Sequence, residues 1–146
     1  MAEEVKVSFR LQPDEDGWPP VDVESVWARP GEVEGEYVID NIPFFTREAT
    51  DGDVIAVRYD IDGTLWFDKV IRSSRNSLIR VILFDCNPVD TVREQLGVFG
   101  CSTEYFSEYR VIAVNIPPNV EIVTVQSYLH GEEVAGRLAY EEAILW

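Results

Sequence analysis

The sequence predicts an α+β fold: a small, bent antiparallel β-sheet or partial barrel fused to a ferredoxin-like βαββαβ half. Residues 1–76 alternate apolar and polar side chains in short runs separated by Pro, Gly and Asp turns, which is typical of strands. From Leu78 onward the pattern is strand, helix, strand, strand, helix, strand. A chain of 146 residues, 46% of them apolar, suits one domain or two very small units that share a core. We therefore predict a single compact domain over residues 1–146, with subregions 1–76 and 77–146.

Five strands are predicted in the first subregion. They cover residues 5–11, 23–29, 36–41, 53–59 and 64–72. Residues 12–20 between the first two strands form a loop, because three acids and three prolines cannot join a hydrogen-bonded ladder. The pair Asp62-Gly63 predicts a hairpin between the last two strands, since both residues tolerate positive φ.

Two helices and four strands are predicted in the second subregion. The strands cover residues 78–84, 103–106, 109–116 and 138–146. The first helix is expected to start at Asn87-Pro88 and to end at Gly100. The second is expected to be capped by Asn119 and to stop at Gly131.

The charge of the chain excludes some partners. It holds 12 Lys+Arg against 27 Asp+Glu, a net charge of −15. Such a surface repels phosphate backbones and anionic lipids, so we expect neither a nucleic acid nor a membrane as partner. No apolar run approaches the roughly 18 residues needed to cross a bilayer, and the start lacks the pattern of a secretion signal. We therefore expect a cytoplasmic protein.

The negative charge is concentrated near the start of the sequence, where residues 1–40 hold 11 acidic and 3 basic groups. A large aromatic side chain beside carboxylates is a typical interface anchor, although a Trp that packs on its own sheet is more common. We expect a non-enzymatic protein that docks a basic protein partner, of which a toxin-neutralising immunity protein is the sharpest version. The candidate partner-binding residues are Asp14, Glu15, Asp16, Trp18, Asp22 and Glu24.

One local motif suggests catalysis instead. The string Asp60-Ile61-Asp62-Gly63-Thr64-Leu65 resembles the first motif of the haloacid dehalogenase phosphatases, in which the residue matching Asp60 is the nucleophile and that matching Asp62 the acid/base. That family's motif leads into a loop and a helix, whereas residues 65–72 alternate like a strand, so the phosphatase is a remote alternative. The same string does not form a calcium-binding loop either, because Ile71 occupies the twelfth position, where such a loop needs a Glu.

The remaining chemistry-bearing residues predict no cofactor. The lone histidine, His130, is expected at the C-terminal end of the second helix, where a cation meets the negative end of the helix dipole. Cys86 and Cys101 are expected at opposite ends of the first helix, as reduced thiols too far apart for a disulfide. A small-molecule-binding or regulatory module, with the ferredoxin-like sheet as its binding surface, is the main alternative function.

Several short segments of the sequence occur in the same order as in a known protein family. They are Val26-Trp27-Ala28, Tyr37-Val38-Ile39-Asp40-Asn41-Ile42-Pro43-Phe44-Phe45, Gly52-Asp53-Val54, Leu65-Trp66-Phe67, Arg80-Val81-Ile82-Leu83-Phe84, Gly100-Cys101-Ser102-Thr103, Val114-Asn115-Ile116-Pro117-Pro118 and Tyr140-Glu141-Glu142-Ala143. Over residues 5–146 the chain resembles the bacterial family called domain of unknown function 4265. The resemblance implies no reaction, cofactor or catalytic residue.

Overall fold

The chain has two compact units. The structure, a computed structural model, describes residues 3–84 and 89–146. The units are Met1–Ser74, here called the barrel unit, and Arg75–Trp146, here called the second unit. Strands dominate both, and two helices lie in the second, which confirms the α+β class. That the two subregions share one core stays a prediction.

The barrel unit is a closed five-stranded barrel. Its strands are β1 (Val5–Arg10), β2 (Val23–Pro30), β3 (Glu36–Ile39), β4 (Val54–Tyr59) and β5 (Leu65–Arg72). Consecutive strands pair antiparallel, and β1 pairs with β5 in parallel to close the ring. Closure must be parallel because an odd number of alternating strands leaves the first and last pointing the same way. The sheet predicted as bent or partly closed is therefore fully closed.

Alternate residues of the barrel strands form the core, together with Ala49 from the segment between β3 and β4. Its fully or nearly fully buried members are Val7, Phe9, Val26, Ala28, Ile39, Ala49, Ile55 and Leu65. Phe67 packs against this cluster and stacks on Phe9, with 4.6 Å between the ring centroids. The neighbouring Trp66 lies under the Arg10 guanidinium instead. These two consecutive aromatic residues thus serve opposite faces of β5, as the period of a strand requires.

The second unit has the ferredoxin-like topology that the sequence predicted. Its elements are β6 (Ser77–Leu83), α1 (Val89–Val98), β7 (Ser102–Phe106), β8 (Val111–Ile116), α2 (Ile122–Val134) and β9 (Leu138–Ile144). The strand order is β7-β8-β6-β9, with every neighbouring pair antiparallel. Apolar residues of both helices, among them Leu96 and Leu129, belong to one buried cluster with the inward residues of the strands.

The predicted limits of α2 were wrong. Asn119 lies in the turn before the helix; Glu121 occupies the N-cap, and its side chain makes no capping hydrogen bond. Gly131 does not stop the helix, which continues to Val134 and ends before Gly136, whose φ is +78°. A glycine inside a helix costs only about 1 kcal/mol relative to Ala, so tertiary packing can keep it helical.

The first helix ends as predicted. Gly100 follows it with a φ of +103°, and the Cys101 N–H donates to the Leu96 carbonyl, which closes the last turn. The predicted start at Asn87-Pro88 and the other cysteine, Cys86, lie outside the described residues. Within the described ranges, no helix is both long and apolar enough to span a bilayer.

Candidate functional site

The acidic loop, residues 12–20, joins β1 to β2 and is held in shape by Asp14. The Asp14 Oδ1 atom accepts the backbone N–H of Asp16 at 2.9 Å and that of Trp18 at 3.0 Å. The Asp14 N–H donates to the Trp18 carbonyl at 2.8 Å, and the Gly17 N–H donates to the Asp14 carbonyl at 3.0 Å. Gly17 has a φ of +79°, which few other residues adopt. The backbone of the loop is thus fixed, while the side chains of Glu15 and Asp16 are exposed.

Trp18 attaches this loop to the barrel. Its ring meets that of Phe45 edge-on, with 5.7 Å between the centroids. The Trp18 residue is half-buried, whereas Phe45 is buried. Trp18 therefore packs on its own unit and keeps part of its indole accessible next to the loop carboxylates.

Asp22 and Glu24 follow the loop but differ in their surroundings. Asp22 is exposed, and its backbone carbonyl accepts the Leu11 N–H at 2.8 Å. The Glu24 carboxylate accepts three backbone N–H groups, those of Phe44 at 2.6 Å, Phe45 at 3.0 Å and Thr46 at 2.8 Å. Its two oxygens therefore organise the segment between β3 and β4. Glu24 has a structural role that the sequence did not indicate, so the candidate surface rests on the other five residues.

A second acidic cluster lies at the opposite end of β1. Ala28 of β2 pairs with Val5 of β1 on one side and with Ile39 of β3 on the other. Glu4 precedes Val5 and Asp40 follows Ile39, so Glu4 and Asp40 become neighbours. A hydrogen bond with Asp40 raises the pKa of Glu4. Burial and then the Asp40 charge raise the pKa of Asp51. We refer to Glu4, Asp40 and Asp51 as the second acidic cluster.

Sequence reasoning missed this cluster because its members are far apart in the chain. Arg29 lies 3.5 Å from Asp40, so the cluster also contains a cation. The pKa of Glu4 is raised mainly by the hydrogen bond with Asp40 and that of Asp51 mainly by burial, while the Arg29 charge opposes both shifts.

Cations on the outer face of β1 contact the indoles of the barrel unit. Lys6 Nζ lies 5.0 Å from the Trp27 ring centroid, and the Arg10 guanidinium carbon lies 4.3 Å from that of Trp66. Between them the hydroxyls of Ser8 and Ser25 are 2.9 Å apart. Both of these cations are therefore engaged with aromatic rings of the same unit.

The phosphatase-like string forms a hairpin between β4 and β5, as predicted. The Asp60 N–H donates to the Thr64 carbonyl at 2.9 Å, and Gly63 has a φ of +86°. A hydrogen bond from the Thr64 N–H to the Asp62 carboxylate lowers the pKa of Asp62. The carboxylates of Asp60 and Asp62 each accept a backbone N–H of the turn itself. A strand, rather than the helix that the phosphatase motif requires, follows them.

The remaining candidates do not form a cluster. Cys101 is buried, and burial raises the pKa of its thiol to about 11, so it is protonated at neutral pH. His130 is exposed and lies about one turn before the end of α2, rather than at the end itself. Across residues 3–84 and 89–146, no three His, Cys, Asp or Glu side chains are grouped so that they could hold a metal ion.

The fold and this acidic loop define the class: a small α+β protein with a closed barrel, a ferredoxin-like unit and a preorganised acidic surface. The chain belongs to the family described as domain of unknown function DUF4265, which matches residues 24–140. The predicted resemblance is thus confirmed.

The fold has been seen before. The chain is similar to a solved structure described as a novel crystal structure of a hypothetical protein from Neisseria gonorrhoeae, with 23% sequence identity and a TM-score of 0.75. The match covers 99% of this chain and 96% of that one. At this identity the likeness shows the fold alone. No curated protein matches the chain.

Proposed function

We propose that this protein binds a basic protein partner through the acidic loop. The observation that carries the proposal is the contrast within the loop: Asp14 fixes the backbone, while Glu15 and Asp16 present free-standing exposed carboxylates. A surface that is already ordered loses little conformational entropy on binding. Preorganised charge of this kind favours recognition by electrostatic complementarity.

The charge distribution supports a basic partner. The net charge is −15, and more than half of it lies in residues 1–40, which include the acidic loop. The second acidic cluster adds three carboxyl groups at the other end of β1, with Arg29 beside one of them. Such a field attracts a cationic protein over about 8 Å at physiological salt and accelerates association.

Trp18 and Asp22 complete the proposed surface. The accessible part of the Trp18 indole offers an apolar contact beside charged groups, the composition of an interface core with a polar rim. Asp22 is exposed at the point where the loop enters β2. Neutralisation of a basic toxin by an immunity protein is one activity that needs these features and no catalytic group.

The test uses three substitutions that remove charge but keep shape: Asp14→Asn, Glu15→Gln and Asp16→Asn in one chain. Asn at position 14 retains an oxygen that can accept the two backbone N–H groups. Tagged wild-type protein is used to capture partners in its native host at low salt, and the association rate of a captured basic protein is then measured. We expect the triple variant to associate about tenfold more slowly, with a weaker dependence on salt.

A matched control separates the loop from net charge. Glu94→Gln, Glu108→Gln and Glu121→Gln together remove the same charge from exposed sites of the second unit and should leave most of the association rate intact. Trp18→Ala should mainly accelerate dissociation, since it removes the apolar contact. The proposal is wrong if no basic protein is captured, or if the loop triple and the control triple slow association equally.

A further inference from the structure

A cavity of about 430 Å³ opens in the barrel unit, beside the acidic loop. Its volume lies within the range of about 300–1,000 Å³ that is typical of small-molecule sites. The end of β1 and both ends of the acidic loop contribute to its lining, together with residues 45–48 from the segment between β3 and β4.

The elements that line this cavity are held in place without a ligand. The Glu24 carboxylate accepts the N–H groups of Phe45 at 3.0 Å and of Thr46 at 2.8 Å. Asp14 fixes the backbone of the acidic loop, and the edge-on contact of Trp18 with Phe45 joins the loop to the segment. A preformed cavity reduces the entropy that is lost when a ligand is ordered.

Part of the lining is apolar. It consists of the side chains of Leu11, Pro19 and Phe45, and Phe45 is only 7% exposed. An apolar group of a ligand that packs on these side chains is removed from water, which favours binding.

Arg10 supplies a cation to the cavity. Its guanidinium carbon lies 4.3 Å from the Trp66 ring centroid, and within the described residues no hydrogen bond or ion pair engages the guanidinium. An arginine that lies with its face on an indole keeps the N–H donors of its edge for an anion. Such an edge can form two parallel hydrogen bonds with a carboxylate.

Glu48 supplies an anion to the same cavity. Its backbone N–H donates to the Thr46 hydroxyl at 3.2 Å, which fixes the position from which its side chain extends. Among the residues that the structure describes, none bonds the Glu48 carboxylate, so this carboxylate can accept hydrogen bonds from a cationic group.

These two opposite charges share a cavity without pairing. Arg10 and Glu48 also line a neighbouring cavity of about 240 Å³, and yet no ion pair joins them within the described part of the chain. Gln12 lines both cavities as well, and its amide can donate to an anion or accept from a cation. Space between an unpaired cation and an unpaired anion suits a ligand that carries both charges.

We propose that this cavity binds a free α-amino acid with an apolar side chain. Its carboxylate lies at Arg10, its ammonium group at Glu48, and its side chain on the apolar lining. Arg47 also lines the cavity but already has a partner, so the carboxylate is assigned to Arg10. A zwitterion has no net charge, so the field of a chain with a net charge of −15 does not repel it as it repels a simple acid.

The site is separate from the surface proposed for a protein partner. It uses none of Glu15, Asp16, Trp18 and Asp22, and its test needs only this chain and a small molecule. Either proposal can therefore fail while the other holds.

The experiment is an NMR titration of the full ¹⁵N-labelled chain at physiological salt with three probes: L-phenylalanine, 3-phenylpropanoate, which lacks the ammonium group, and phenethylamine, which lacks the carboxylate. We expect L-phenylalanine to shift the backbone N–H signals of Gln12, Thr46 and Glu48 and the Nε–H signal of Arg10. Each of the other two probes should bind about tenfold more weakly, because each loses one charge-assisted contact.

Two substitutions assign the charges. Arg10→Gln should weaken L-phenylalanine about tenfold and leave phenethylamine unchanged, since the amine has no carboxylate to lose. Glu48→Gln should weaken L-phenylalanine about tenfold and leave 3-phenylpropanoate unchanged. Both residues are exposed, so neither substitution disturbs the core, and each tests the proposal by itself.

Each substitution has a matched control outside the cavity. Lys6→Gln removes another β1 cation that lies on an indole, that of Trp27, and should change the affinity for none of the three probes. Glu34→Gln removes an exposed carboxylate of the barrel unit and should likewise have no effect.

The proposal is supported if the shifts map to the cavity and each substitution weakens only the probes that carry the matching charge. It is overturned if L-phenylalanine shifts none of these signals at millimolar concentration, or if the shifts lie elsewhere. Equal affinities for the three probes, or an unchanged affinity of Arg10→Gln and Glu48→Gln for L-phenylalanine, would also overturn it. Well-dispersed spectra show that each variant keeps the fold.

Discussion

The two units are stabilised in different ways. In the barrel unit, carboxylates accept backbone N–H groups and so fix the loops: Asp14 holds residues 14–18, Glu24 holds residues 44–46, and Asp53 accepts the N–H of Thr50. In the second unit, aliphatic side chains from β6, β8, β9 and both helices form one large buried cluster, against which Tyr105 of β7 packs. One unit depends heavily on polar bonds in its loops, and the other on apolar burial.

This difference changes how the net charge should be interpreted. A carboxylate that bonds its own backbone is part of the fold, and its removal leaves N–H groups without an acceptor. Asp53 is 5% exposed and also bonds the Ser74 N–H and hydroxyl. Part of the acidity of this chain is therefore structural, and only exposed acids such as Glu15 and Asp16 are available to a partner.

The largest effect is expected in the apolar core of the second unit. Leu129 is fully buried between α2 and the sheet, so Leu129→Ala should lower the free energy of unfolding by about 3–4 kcal/mol. Urea unfolding, monitored through amide hydrogen exchange in β6 and β8, measures this loss in the free energy of unfolding. Val123→Ala, an exposed position of the same helix, should cost less than about 0.5 kcal/mol. A loss below 1 kcal/mol for Leu129→Ala would contradict the dependence on apolar burial.

The next effect tests the polar loops of the barrel. Glu24→Ala removes the acceptor of three backbone N–H groups and should cost roughly 2–3 kcal/mol. Glu24→Gln keeps one carbonyl oxygen and should cost about half as much. Urea unfolding monitored at the amides of residues 44–46 measures both. A Glu24→Ala variant as stable as wild type would return Glu24 to the set of acids free to contact a partner.

A smaller effect distinguishes two neighbouring acids of the acidic loop. Asp14→Ala removes the acceptor for the Asp16 and Trp18 N–H groups and should cost at most about 1 kcal/mol, since the loop is exposed. Glu15→Ala should leave stability unchanged, because no such bond holds its side chain in place. Thermal unfolding together with hydrogen exchange at residues 16–18 measures the difference. Equal exchange rates in the two variants would argue that Asp14 does not fix the loop.

The smallest effect concerns Asp51 and depends on pH. Its pKa is raised in the folded chain, so the folded state binds the proton more tightly than the unfolded state. Stability from this group is therefore present below the unfolded pKa of about 3.9 and is lost as the pH rises through the folded pKa. Asp51→Asn should raise Tm slightly at pH 7 and have no effect near pH 3. Asp16→Asn, at an exposed site, is the control, and an equal gain for Asp51→Asn at both pH values would refute the electrostatic cause.

Local chemistry explains which structural predictions succeeded. Asp62-Gly63 is a hairpin because turn geometry depends on adjacent residues, and Gly63 supplies the positive φ. The order of strands and helices after residue 77 identified the ferredoxin-like unit, because that order restricts the topology to very few choices. The limits of α2 were missed, since Asn119 and Gly131 are only weak signals that the surrounding packing overrides.

The sequence by itself determined the fold class, the strands of both units and the acidic loop as a loop, because each depends on residues that are close along the chain. Only the tertiary structure decided what the side chains do. Glu24 bonds backbone some twenty residues away, Asp40 interacts with both Glu4 and Asp51, and Arg75 meets the Trp146 ring. These contacts join residues that are distant in sequence, and closure of the barrel and pairing of β6 with β9 bring their backbones together. No local pattern records such a distance, so the roles of these residues follow from the fold alone.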